Sequence, residues 1–503
     1  MKKSIKYSVV VFAVCAGLSA CKKSFVDVLP TGDTKLEVNY YTTPAQVFTG
    51  IVAAYDPLGS ETGSSYSSKL GLLNVASDDC AAGGAAPGPD QASWTALDNF
   101  TVNVAQGPQG DLWGRNYTGI YRANLILTKM TAVPGLTDAV KGRYTAEAKV
   151  LRAYYYFDLV RLFKNIPLIV APIPAAQINT LLQVKPELVY AQIEKDLNEA
   201  IAEPNLPASV PVATEGGRVT KGAAKALLGK VLLYESKWQA AAAQFADVNG
   251  TPGGTSTFGY SLLPNYADIF RPDNKFNTES IFEIVHTSQA QQGWGSWGGF
   301  EGNVMVQMVG PRNYTGPTYE TGWGFCPLTT SLVTALKNDP RYNYTVANID
   351  SITKAVGGSY EKGASNTGYF IEKYAPKTQW KTKLAGDAAL NYPNDYIEIR
   401  LADTYLMEAE ALVQGGGNTA RAQALMDAVR ARVGVASIPA TLPNIYAERR
   451  LELSTEGHRF FDLVRTGQAA AALPGFTVGK NEILPIPLGD MTNTKLVQNP
   501  GFN

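Results

Sequence analysis

A mainly α-helical chain, in which a helical-hairpin scaffold carries an irregular, loop-rich lobe with short strands, is predicted by three observations. Long stretches repeat apolar residues at helical spacing. Ala-rich faces allow neighbouring helices to approach closely. Two blocks, about residues 31–119 and 250–368, are rich in Gly, Pro, Asn, Ser and aromatics and poor in helical signals. Composition agrees: 45% apolar residues in 503 can bury a large core, and 44 basic against 44 acidic residues leave no global field favouring nucleic acid.

At the N-terminus, Lys2, Lys3 and Lys6 precede an apolar run, Ser8 to Leu18. It is too short for the roughly 20 residues of a membrane-spanning helix. The run ends in "LSAC", which resembles a bacterial lipobox. Residues 1–20 are therefore expected to be a lipoprotein signal peptide, with Cys21 lipidated and residues 21–503 forming one unit anchored by several acyl chains. Cys80 and Cys326 would then share an oxidising compartment and could pair, a point that spacing leaves open. Two distant histidines and no CxxC give no metal signature. No cofactor is expected; structural calcium stays open, although no EF-hand pattern is present.

Helices follow in order. Residues 141–163, "KGRYTAEAKVLRAYYYFDLVRLF", place Ala148, Leu151, Tyr155, Leu159 and Leu162 on one face, and the prolines of "NIPLIVAPIP" end the helix. Pro186–Ala202, Lys221–Asp247, Asp395–Gln414, Thr419–Val433 and Pro443–Gly467 read as further helices, so the scaffold spans about 120–247 and 395–467. Lys221–Phe245 resembles a tetratricopeptide unit, without a strict repeat along the chain. "SIFEIVH" reads as a strand in the irregular lobe, where binding residues are expected on loops.

"RRLELSTEGHRFFDLVRTG" (449–467) crowds charges around His458. It is read as structural because "FDLVR" occurs twice, placing Asp158 three residues before Arg161 and Asp462 three before Arg465, each pair able to bridge on one helix face. Arginine neighbours keep a carboxylate ionised and make it a poor acid, so no catalytic residue is assigned. His458, after Gly457, is expected at a helix start.

"AERRLELSTEGHRFFDLVRTG" resembles the C-terminal signature of the SusD/RagB family of outer-membrane nutrient-binding lipoproteins. "RAYYYFDLVRLFKNIPLI", "NDPRY", "DYIEIRLADTYLMEAEAL" and "LPIPLGDMTNTKLVQNPGF" agree in order. The resemblance implies a tetratricopeptide-like scaffold and a lipid-anchored protein at the cell surface. It further implies a non-catalytic lid that captures an oligosaccharide, or in some relatives a peptide, and passes it to a SusC-like TonB-dependent transporter. Lys22 and Lys23 follow Cys21 where many surface lipoproteins carry acidic residues, so surface display rests on the resemblance alone.

A sugar needs flat aromatic platforms edged by polar groups. Residues 293–303 and 308–325 supply Trp294, Trp297, Trp323 and Tyr319, with Asn303 and Arg312 as hydroxyl partners; Trp94 and Asp78 come from the earlier block. Core aromatics look the same in sequence. Two alternatives remain in view: a helical-repeat scaffold that binds only protein, and a surface glycoside hydrolase, which needs a carboxylate pair that no motif singles out.

Overall fold

Apolar periodicity becomes a stack of helices in the computed structural model, which describes residues 40–61, 66–88, 90–296, 299–380 and 386–502. Helices α1 (Pro44–Tyr55), α2 (Lys69–Val75) and α3 (Ala92–Asp98) precede α4 (Gln109–Lys129) and α5 (Asp138–Phe163); α6 (Pro186–Ala202), α7 (Lys221–Tyr234) and α8 (Trp238–Asn249) follow. After the irregular segment come α9 (Val304–Val309) and α10 (Thr330–Leu336), then α11 (Leu401–Gln414), α12 (Thr419–Arg432), α13 (Leu442–Leu453) and α14 (Arg459–Arg465). Neighbours in the stack run α4, α5, α6, α7, α8, α11, α12, and α1 lies against α4. The scaffold therefore closes through α8 and α11, elements far apart in sequence.

Several elements differ from expectation. The block 31–119 contains α1, α2, α3 and the start of α4, short helices whose Ser- and Gly-rich flanks hide the period. The stretch 221–247 is two helices, broken where Ser236 takes a left-handed backbone at φ 58°. The stretch 443–467 is likewise two, separated by Thr455 (φ 66°) and Gly457 (φ 78°), and His458 is the residue from which α14 starts. Helix α5 is not amphipathic in its second half: Tyr154, Tyr155, Tyr156 and Phe157 are all buried, because α4 and α6 pack on either side.

Among the described residues there are three two-stranded antiparallel sheets: β1 (Ile166–Pro167) with β2 (Gln183–Val184) within the scaffold, β3 (Ser280–Ile284) with β6 (Tyr396–Arg400) joining lobe to scaffold, and β4 (Val346–Asn348) with β5 (Tyr369–Ile371) within the irregular lobe. Residues 396–400, expected to be helical, form a strand fully buried by pairing with β3, which sets Ser280 opposite Arg400 and Ile284 opposite Tyr396.

That register places a charge network at the centre. Arg400 is fully buried and donates to Glu279 (2.8 Å), Glu452 (2.6 Å) and Glu456 (2.7 Å), while Arg341 reaches Glu448 and Glu452 and Lys373 reaches Glu456 at 2.6 Å. In "FDLVR", Arg161 pairs with Asp158, and Arg465 with Asp462 at 2.7 Å. Burial alone would raise the Asp462 carboxyl, but Arg449 and Arg465 hold it at about 2. Asp78 sits in the same system, gripped by Arg459 (2.7 Å) and Arg450 (3.0 Å). These are structural ion pairs whose value depends on complete pairing.

Two histidines, the buried His286 and the partly buried His458, make stability depend on pH. Burial pushes His458 and His286 down to about 4, opposed at His458 by Asp403 and reinforced at His286 by Lys275. Their unfolded value is about 6.5, so between pH 6.5 and 4 the unfolded chain binds protons that the folded chain refuses. Each contribution is complete above pH 6.5 and is lost as pH falls through that window. His458→Asn is expected to lose about 2 kcal/mol less unfolding free energy than wild type between pH 7 and 5. Urea titrations at the two pH values measure this, and equal losses would contradict it.

Candidate functional site

The site is built around Trp323. Its segment is held in place because its backbone N–H donates to the Gln307 carbonyl (3.0 Å), Gly324 N–H to the Gly310 carbonyl (2.8 Å) and Phe325 N–H to the Met308 carbonyl (2.9 Å), fixing it to the buried helix α9. The approach is too close for side chains: a Cβ on Gly322 would lie 2.3 Å from the Gly310 carbonyl carbon. Tyr66 packs on Trp323 at 4.8 Å between ring centroids, and Trp294 stacks on it at 6.1 Å with 25° between planes. Trp294 is 45% exposed, so this trio presents an aromatic surface.

Each ring has a support. Trp94 N–H donates to the Tyr66 carbonyl at 2.9 Å. The Trp294 loop is closed by Gln292, whose side chain accepts from Glu301 N–H (2.8 Å) and donates to the Gly299 carbonyl. Asn391 anchors that loop by accepting from Gln292 N–H (2.9 Å) and donating to its carbonyl (2.7 Å). Arg312 donates to the Trp323 carbonyl at 3.3 Å and pairs with Asp90 (2.8 Å) and Glu361 (3.4 Å). Asn313 adds a hydrogen bond to Glu361 at 2.6 Å. The platform thus has a partly exposed rim of guanidinium, carboxylate and amide groups beside it.

A separate cleft of about 300 Å³ is lined by Tyr55, Leu58, Glu61, His286, Phe300 and Glu301. Burial raises Glu61 to about 7, although Val304 N–H donates to it at 2.7 Å.

Of the sequence-predicted residues, Trp294, Trp323 and Arg312 come together. Four others are corrected. Trp94 is wholly buried, its ring against Phe325 and over Gly71, where a Cβ would lie 2.3 Å away. Tyr319 is buried and donates its hydroxyl to Glu372 at 2.7 Å. Asn303 is buried and donates to the Asn394 carbonyl at 2.8 Å. Asp78 is committed to Arg450 and Arg459. Burial keeps Trp94, Tyr319 and Asn303 from a ligand at the surface, and ion pairing occupies Asp78. Trp297 and Cys21 lie outside the described residues. Cys80 and Cys326 are buried free thiols, and the Cys326 thiol donates to the Gly71 carbonyl. Among the described residues no group of three or more His, Cys, Asp or Glu is placed to hold a metal ion. Sequence reasoning missed Tyr66, whose signal was a lone aromatic in "GSSYSSK", and the anchors Gln292 and Asn391, which carried none.

Known proteins resemble this chain over most of its length. Residues 336–483 match the family model described as SusD family, and residues 60–233 match one described as starch-binding associating with outer membrane. A solved structure titled laminarin binding SusD-like protein is 48% identical, superposes with a TM-score of 0.87, and covers 92% of this chain and 100% of that one. The chain belongs to the SusD family. A second similar solved structure is titled surface glycan-binding protein A from Bacteroides thetaiotaomicron in complex with laminarihexaose. It is 28% identical with a TM-score of 0.81, covering 91% and 100%. SusD-like protein P25 of Formosa agariphila is 28% identical over 394 residues, 73% of this chain and 72% of that protein. The fold of this SusD-family chain is accordingly mainly helical, as its motifs implied.

Proposed function

We propose that this chain is a non-catalytic cell-surface lipoprotein, anchored through Cys21, that captures laminarin-type oligosaccharides and delivers them to a SusC-like TonB-dependent outer-membrane transporter. The observation that carries the reading is the supported stack of Trp294, Trp323 and Tyr66 beside the Arg312–Asp90–Glu361 rim, in a chain 48% identical to a laminarin-binding relative. Aromatic faces match the C–H faces of a pyranose, and the rim matches its hydroxyls. The rings are positioned before ligand arrives, which reduces the entropy lost on binding. The committed charges of the network serve stability, and none is assigned to bond cleavage.

Calorimetric titration of the purified chain with laminarin oligosaccharides, starch oligosaccharides and a peptide digest tests the reading, with reducing ends assayed in parallel. Saturable binding of the laminarin series without new reducing ends is expected. Release of reducing ends, or preference for peptides, would contradict it.

A further inference from the structure

A cavity of about 320 Å³ opens where the segment 208–220, the loop 256–260 and the start of β3 meet. That volume lies at the lower end of what small-molecule sites enclose. Its lining shares no residue with the Trp323 platform or the platform's rim.

Phe258, Tyr260 and Phe276 wall the cavity, and the backbone bends to put them there. Phe258 and Tyr260 stack at 6.2 Å between ring centroids with 29° between planes. Their loop closes on itself, since Ser256 N–H donates to the Tyr260 carbonyl (2.8 Å) and Tyr260 N–H to the Ser256 hydroxyl (3.2 Å). The Tyr260 ring lies over Gly222, where a Cβ would come within 2.6 Å of its hydroxyl. Phe276 holds a left-handed backbone at φ 52°, which bulky residues rarely adopt. Its N–H donates to Glu283 Oε1 at 2.8 Å, and its ring covers Gly216, where a Cβ would lie 2.7 Å away. An unfavourable backbone that sets a half-buried ring on a cavity wall points to a use for that ring.

The polar groups of the lining are neutral or already paired. Glu283 is 4% exposed, and its Oε2 has no hydrogen-bond partner among the described residues. Burial, with Asp395 beside it, raises this carboxyl to about 8, so at pH 7 it both donates and accepts. Thr220, Thr278 and Ser280 add hydroxyls, and Thr278, which donates to the Ser261 carbonyl at 3.2 Å, keeps its lone pairs for a ligand. The Arg218 guanidinium is taken by Glu147 (2.6 Å) and Glu215 (2.8 Å).

These properties select the ligand. An anion finds the guanidinium occupied, and a cation finds a protonated carboxyl and a fixed positive charge. A purely apolar molecule would leave Glu283 Oε2 buried without a partner. A neutral pyranose fits both parts, with its C–H faces on the aromatic rings and a hydroxyl on Glu283.

We propose that this cavity is a second saccharide site, holding a neutral pyranose unit independently of the Trp323 platform. The choice of glucan fragments as probes rests on the function proposed above. A trifluoromethyl-phenylalanine reporter at Val212, an exposed residue of the lining, is followed by fluorine NMR in the purified chain carrying Trp323→Ala. Laminaritriose and maltotriose are the ligands, and the same reporter at Val356, exposed outside the cavity, is the control. A saturable shift is expected at 212 and not at 356, with an affinity within twofold of that measured with Trp323 restored. Phe258→Ala is expected to weaken it about tenfold, and Phe258→Tyr, which keeps the ring, to preserve it. No shift at 212 with either sugar, equal shifts at both positions, a shift indifferent to Phe258→Ala, or one produced by tetramethylammonium and not by the sugars would overturn the proposal. A shift at 212 together with unchanged overall laminarin affinity in Trp323→Ala would instead remove the platform reading and leave this site standing.

Discussion

Trp323→Ala is expected to weaken laminarin-oligosaccharide binding by roughly 30- to 150-fold, equivalent to about 2–3 kcal/mol, with little change in folding. The indole lies between Tyr66 and Trp294, so its removal takes away both a face for the sugar and the surface on which Trp294 rests. Trp294→Ala removes only the outer ring, so a smaller loss, about tenfold, is expected. Two controls separate contact from scaffold. Tyr319→Phe, whose hydroxyl binds Glu372, should leave affinity unchanged. Trp94→Ala should lower stability by about 3–5 kcal/mol, because it empties a core position, and should weaken binding less than Trp323→Ala, through the lost hydrogen bond to the Tyr66 carbonyl. Calorimetry beside urea denaturation distinguishes these outcomes; equal affinity for wild type and Trp323→Ala would contradict the site.

Arg400→Leu is expected to destabilise the fold by about 3–5 kcal/mol, the cost of leaving buried carboxylates without their cation. Glu279, Glu452 and Glu456 all turn to this guanidinium, and all four residues are shielded from water. Lys195→Ala removes the exposed partner of Glu199 and should cost no more than about 0.5 kcal/mol. The urea midpoint reads both. An Arg400→Leu loss as small as that of Lys195→Ala would mean that the network is not needed for stability. The network also explains why "RRLELSTEGHRFF" is so charged yet carries no assigned chemistry: its arginines and glutamates close contacts between α13, α11 and the β3–β6 pair.

The stack of helices was legible because apolar periodicity survives wherever a helix packs on one side, as in α6 and α12. Residues 396–400 were misread because Tyr396, Ile397 and Ile399 fit either period, and pairing with β3, more than 100 residues earlier, decides between them. Helix breaks at Ser236 and Thr455 were hidden because neither residue type announces a left-handed backbone. At the site, sequence marked the aromatic-rich loops and identified Trp294, Trp323 and Arg312. It could not tell which side of each loop faces inward: Trp94 went under because Gly71 leaves room for its ring, and Tyr319 because Tyr314 and Glu372 enclose it. Long-range anchors such as Asn391, 99 residues from Gln292, leave no local trace.

A crystal structure of the chain with laminarihexaose would be the most direct measurement. Glucose rings stacked on Trp323 and Trp294, with hydroxyls hydrogen-bonded to the Arg312, Asp90 or Glu361 side chains, are the expected result. A hexaose seated instead in the cleft of Tyr55, His286 and Phe300, or elsewhere with both tryptophans bare, would contradict the proposed capture site.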